Sequence, residues 1–149
     1  MILFFIFCIQ ASAWAGSTCS EINNDCEYYS CVAETKHCSK SSYLLRFGQR
    51  YCLRYNERRS AFSASGIKWI EDVRSCLIRR MSFYESILSC RDLKSQAFMD
   101  HIPCYLESGF CDLSKSDRFQ VLKTIWPSLG HFKILANGYE VFKTCSNTK

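Results

Sequence analysis

The segment CLRYNERRSAFSASGIKWIEDVRSC, from Cys52 to Cys76, decides the fold class. Apolar residues in its second half recur at three- and four-residue spacing, which is the pattern of one buried helix face. These residues are Ile67, Ile70 and Val73, and Leu77, directly after Cys76, continues the series. We predict an α-helix that begins at Ser65 as its N-cap. Cysteines stand at both edges of the segment, and this placement is typical of helices joined by disulfides.

The same helical periodicity continues through the rest of the chain, and no long alternating strand pattern competes with it. We predict a helix capped by Asp92 that ends or kinks at Pro103. Another is predicted to start at Ser114, with Asp117 in the manner of a capping box, and to stop at Pro127. The predicted fold class is therefore all-α, a compact bundle of short helices stapled by five disulfides.

The N-terminal residues predict the compartment. The stretch MILFFIFCIQASAWAG opens with an apolar run and ends with small residues in an A-x-A arrangement, Ala11-Ser12-Ala13 or Ala13-Trp14-Ala15, which is typical of a secretory signal peptide. It is shorter than the roughly 20 apolar residues that a membrane span needs. We predict a signal peptide at residues 1–15, one domain at residues 16–149, no membrane span, and a secreted, extracellular protein.

Cysteine is the most unusual component, with 11 in 149 residues. Removal of the signal peptide removes Cys8 and leaves an even number, which permits complete pairing in an oxidising compartment. The remaining cysteines are Cys19, Cys26, Cys31, Cys38, Cys52, Cys76, Cys90, Cys104, Cys111 and Cys145. We expect no metal, because no CxxC pair or Cys–His zinc spacing occurs. The residues alone leave the pairing open.

The order and spacing of these cysteines resemble the stanniocalcin family of secreted glycoprotein hormones. The resemblance includes Cys26-x4-Cys31, the motif Cys104-Tyr105-x5-Cys111 and the segment FSASGIKWIEDVRSC, residues 62–76. It extends from Cys19 to Cys145. The family's pairing implies five bridges: Cys19 to Cys31, Cys26 to Cys52, Cys38 to Cys90, Cys76 to Cys104, and Cys111 to Cys145.

The resemblance also implies a function. Stanniocalcins regulate calcium and phosphate balance, so we expect a hormone that binds a protein receptor or another protein partner. Vertebrate members also inhibit pappalysin metalloproteases, and the alternative is a non-covalent inhibitor of such a secreted metalloprotease. Vertebrate members carry a further cysteine that links two subunits. This chain has no counterpart, so any homodimer is expected to be non-covalent.

A basic stripe is the clearest surface feature of the sequence. Arg46, Arg50, Arg54 and Arg58 recur every four residues along a predicted helix, and the formal net charge is +5. Such a stripe can bind an anionic partner such as a sulfated glycan. A solvated helix face is the simpler interpretation. The extracellular compartment argues against nucleic acid as a partner.

No catalytic or cofactor pattern emerges, and we predict a protein that is not an enzyme and binds no cofactor. His37, His101 and His131 are isolated, and a catalytic histidine needs an oriented partner. Asp100 adjoins His101, but neighbours on a helix point about 100° apart. The acidic residues are scattered, without the clustering that Ca²⁺ prefers. A small secreted hydrolase is the least favoured alternative.

Overall fold

The computed structural model describes residues 19, 22 and 25–147, and this part of the chain is all-α, without strands. The predicted fold class is confirmed. The helices are α1 (Glu27–Thr35), α2 (Arg50–Glu57), α3 (Ala64–Ser82), α4 (Cys90–Glu107), α5 (Lys115–Ile125) and α6 (Phe132–Asn147). The predicted signal peptide, residues 1–15, lies outside the described residues.

A π-helical segment, Leu44–Gln49, leads directly into α2. Gly48 in this segment is buried against the ring of Tyr29 from α1. A Cβ atom at residue 48 would lie 2.6 Å from Cδ1 of Tyr29. The π-helical segment therefore approaches α1 this closely because residue 48 has no side chain.

Helix α3 begins at a different residue from the one predicted. Its N-cap is Ser63, whose Oγ accepts a hydrogen bond from the Gly66 N–H at 3.2 Å. The prediction of Ser65 was wrong because Asp117 of α5 fixes Ser63 instead, accepting from its N–H at 2.9 Å and from its Oγ–H at 2.7 Å. A Cβ atom on Gly66 would lie 2.5 Å from Oδ1 of Asp117.

Helices α4 and α5 test the remaining capping predictions. The N-cap of α4 is Ser89 rather than Asp92, because the Ser89 side chain accepts from the Asp92 N–H. Helix α4 also continues through Pro103, so the predicted end there was wrong. The next residue, Cys104, is fully buried and bonded to α3, and this packing offsets the loss of one backbone hydrogen bond. The Ser114 cap of α5 is confirmed.

Among the described residues, the hydrophobic core consists of two clusters. The N-terminal cluster includes Tyr28, Tyr29, Val32, Tyr43, Leu44, Ile78, Met81, Leu93 and Ala97. The C-terminal cluster includes Phe62, Trp69, Ile70, Val73, Phe110, Leu113, Val121 and Val141. Helix α3 contributes to both, its first half to the C-terminal cluster and its second half to the N-terminal one. It therefore connects the two halves of the fold.

In the described part of the chain, five disulfides connect the helices and the segments between them. They are Cys19–Cys31, Cys26–Cys52, Cys38–Cys90, Cys76–Cys104 and Cys111–Cys145. These are the same five pairs that the stanniocalcin resemblance implies. Among the described residues, no helix has the length and apolar character needed to cross a membrane.

Candidate functional site

The arginine stripe is divided in the structure. Arg46 and Arg50 are exposed, whereas Arg54 and Arg58 are half-buried. Arg58 lies just past the end of α2 and reaches across to α5. Its Nε donates to Oγ1 of Thr124 at 3.1 Å, and its Nη2 donates to Oε1 of Gln120 at 2.9 Å. Arg58 therefore joins two helices, and the exposed part of the stripe is the pair Arg46 and Arg50.

Two further arginines form ion pairs. They are Arg59, next to the stripe, and Arg80, in α3. Arg59 pairs with Glu71, and Arg80 lies between Glu107 and Asp100, at 2.9 Å and 3.6 Å. The Arg59–Glu71 pair is exposed and contributes little to stability, and each ion pair reduces the charge that its arginine offers to a partner. The basic surface available to an anion is consequently smaller than the sequence predicts.

The three histidines lie apart. His37 follows the end of α1 in a left-handed backbone conformation, with φ 53°, and is exposed, as is His131. His101 packs among aromatic rings, and its Nδ1 lies 2.5 Å from the carbonyl oxygen of Ala97. Burial lowers the pKa of His101, with opposing contributions from this bond and from Asp100. Asp100 itself accepts from Gln96 and faces Arg80.

No metal-ligand cluster is found in the described part of the chain, counting groups of three or more histidine, cysteine or acidic residues. The ten cysteines that follow the predicted signal peptide are all in disulfides. They therefore provide no thiolate for a metal, a nucleophile or an intermolecular bridge.

Helix α6 exposes a row of large apolar side chains, which we call the α6 apolar face. It consists of Phe132, Leu135 and Tyr139, which are 84%, 51% and 65% exposed. Their spacing of three and four residues places them on one side of the helix. Exposed apolar patches on a folded domain are typical of protein-contact surfaces. The spacing of Phe132, Leu135 and Tyr139 in the sequence predicts a helix with these residues on one side, but it does not predict their exposure.

The structure also contains a partly open aromatic cavity, which is lined by residues of both core clusters. Its volume is about 110 Å³, and its wall comes from α1, the π-helical segment, α2, α3, α4, α5 and α6. The sequence does not predict this cavity, because no single segment of the chain forms it. The available signal was the four-residue spacing of Tyr43, Phe47, Tyr51 and Tyr55, which places aromatic rings on one side of a helix.

Comparison with known proteins adds no relative: no protein-family model, curated protein or solved structure matches this chain.

Proposed function

We propose that this protein is a secreted hormone resembling the stanniocalcins, which regulates calcium and phosphate balance by binding a protein partner or receptor. The supporting observation is the disulfide pairing, since all five pairs coincide with those that the resemblance implies. Eight cysteines already allow about 105 pairings, and ten allow more. Agreement in every pair is therefore a demanding match.

Two surfaces suit a partner. The α6 apolar face can contribute apolar area that is removed from water on binding. Arg46 and Arg50 can attract an acidic protein surface or a sulfated glycan, because both are exposed. The disulfides join the short helices and so hold these surfaces in place. A non-covalent homodimer, which the sequence leaves open, would use the same kind of apolar contact.

The proposal is tested by applying the purified, oxidised protein to a cultured transporting epithelium and measuring calcium and phosphate flux. We expect a saturable change in flux that is lost in the double variant Phe132→Ser, Tyr139→Ser. The matched control is Phe83→Ser, Ile87→Ser, which removes two equally exposed apolar side chains elsewhere. An unaltered flux with the wild-type protein contradicts the hormone role. Equal loss in both double variants contradicts the assignment to α6.

The arginine pair has its own test. The double variant Arg46→Gln, Arg50→Gln should elute from immobilised heparin at lower salt, since both side chains are exposed. The control variant Lys94→Gln, Lys115→Gln removes the same charge from two other exposed positions. If the two variants elute together, retention reflects net charge alone and the pair is an ordinary solvated surface.

Inhibition of a pappalysin-type metalloprotease is the second candidate function. The paired cysteines favour a reversible inhibitor over a covalent one, because no thiol among them is available to bond with the protease. Peptide cleavage is measured with the protein in micromolar excess and again after dilution. Recovery of activity on dilution supports non-covalent inhibition. Unchanged cleavage at the highest concentration contradicts this candidate.

A further inference from the structure

One residue of the aromatic cavity wall, Gly138, has no side chain to fill the cavity. Gly138 lines the cavity and is on the same side of α6 as the buried residues Ile134 and Val141, four residues before it and three after it. A Cβ atom at residue 138 would therefore point toward the interior. It would meet no heavy atom within 4 Å. An inward position with open space in front of it is unusual in a protein core, where side chains pack closely.

The cavity wall is composed mainly of aromatic rings. The Phe47 and Tyr51 ring centroids lie 4.6 Å apart, and the Trp69 and Tyr105 rings are 5.1 Å apart at 81°. Rings at such spacings present both edges and faces, and an aromatic guest gains from edge-to-face and offset contacts with them. The volume of about 110 Å³ is of the same order as the roughly 150 Å³ apolar cavity that accepts benzene. A guest with a single ring therefore fits.

Two polar groups of the wall determine which substituent on a guest the site would prefer. The Tyr55 hydroxyl is buried and makes no hydrogen bond of standard geometry, although the Tyr105 hydroxyl lies near enough to interact with it. The Nδ1 of His101 donates to the Ala97 carbonyl oxygen, so Nε2 of that ring keeps a lone pair that can accept. A hydroxyl group on the guest can accept from Tyr55 or donate to His101.

The charges of the wall exclude an ionised guest. Among the residues that line the cavity, Arg74 carries the one permanent charge, and it donates to Asn56 Oδ1 outside the cavity wall. No carboxylate belongs to the wall, so a cationic guest would be buried without a counter-charge. An anion would gain little from Arg74, because Asp25 and Glu71 already offset the charge of its guanidinium.

We propose that this cavity is a binding site for a small, uncharged aromatic molecule that carries one hydroxyl group. The site is separate from the α6 apolar face and from the arginine pair, so the proposal does not depend on the function proposed above. Gly138 is the residue that keeps the site open, because any larger side chain there enters the cavity.

The test uses the full secreted, oxidised protein, with phenol as the probe and toluene and cyclohexanol as comparisons. Binding is followed by ligand-observed NMR and by the shift in unfolding temperature. We expect phenol to bind more tightly than toluene, which lacks the hydroxyl, and than cyclohexanol, which lacks the aromatic face. Absence of phenol binding at millimolar concentration would overturn the proposal.

Two variants assign the binding to the cavity. Gly138→Leu should weaken phenol binding at least tenfold, whereas Gly130→Leu should not, since a Cβ at residue 130 also meets open space but that residue does not line the cavity. Tyr55→Phe should weaken the binding of phenol and leave the binding of toluene unchanged. This variant tests the proposal if Gly138→Leu misfolds. Equal binding of phenol by the wild type, Gly138→Leu and Tyr55→Phe would overturn the proposal.

Discussion

The N-terminal and C-terminal clusters are held together in different ways. Apart from parts of α3 and α4, the N-terminal cluster is built from short elements, namely α1 with 9 residues and the π-helical segment with 6. Three disulfides join α1 and its flanking residues to one another, to α2 and to α4. The C-terminal cluster is built on longer helices, among them α3 with 19 residues and α6 with 16. Beside it lies the buried carboxylate of Asp117.

This difference follows from how much each helix can bury. A helix of two turns has few packing contacts and is only marginally stable alone, so covalent links have to limit the freedom of the unfolded chain. Longer helices bury an extended apolar face and can also hold a polar network. Asp117 shows this, because it accepts hydrogen bonds from Ser63 and Ser114 in a position that is 2% exposed.

The largest expected effect comes from removing one disulfide at a time. Cys38→Ala, Cys90→Ala opens a loop of 52 residues, and Cys111→Ala, Cys145→Ala opens one of 34. Each should lower the free energy of unfolding by about 4 kcal/mol on chain-entropy grounds. Amide hydrogen exchange should show lost protection in α1 and the π-helical segment for the first pair, and in α5 and α6 for the second. Loss throughout the molecule in both variants would show that the clusters unfold as one unit.

The next largest effect is expected from two closely packed glycines, one beside each cluster. Gly48→Ala places a methyl group against Tyr29, and Gly66→Ala places one against Asp117. Each should destabilise the protein by about 1–3 kcal/mol in urea unfolding, because neither neighbour is the free end of a flexible side chain. Gly130→Ala is the control, since a methyl group there meets no atom within 4 Å. If all three variants unfold at the same urea concentration, the glycines do not limit packing.

The smallest expected effect is a dependence of stability on pH, which arises from Asp117 beside the C-terminal cluster. Burial alone raises the pKa of Asp117, but hydrogen bonds from Ser114 and Ser63 outweigh it and lower the pKa below its ordinary value of 3.8. The folded state therefore favours the carboxylate. Its contribution to stability is fully present above pH 3.8 and is lost as the pH falls through the lowered pKa.

Asp117→Asn measures this contribution. The variant should be less stable than wild type at pH 7, because the amide cannot reproduce a carboxylate that accepts from both serines. The difference should shrink in acid, below pH 3.8. Urea unfolding at neutral and acidic pH provides the measurement, with the exposed Asp112→Asn as control. A difference that is the same at both pH values would contradict the assigned role of Asp117.

The sequence by itself determined the features that depend on local patterns. Helical periodicity predicted the all-α fold, and Ser114 and Pro127 correctly marked the two ends of α5. Each of these signals acts within a few residues of chain, where backbone hydrogen bonding and steric restriction decide the outcome. The abundance of cysteine likewise predicted a disulfide framework without reference to any fold.

Only the tertiary structure decided the features that depend on distant residues. Asp117 selects Ser63 over Ser65 as the cap of α3, and Thr124 holds Arg58 away from the predicted stripe. The cavity is lined by residues of all six helices, and Gly138 contributes no side chain to fill it. Long-range packing of this kind has no periodic signature in the chain, since its partners are brought together only by folding.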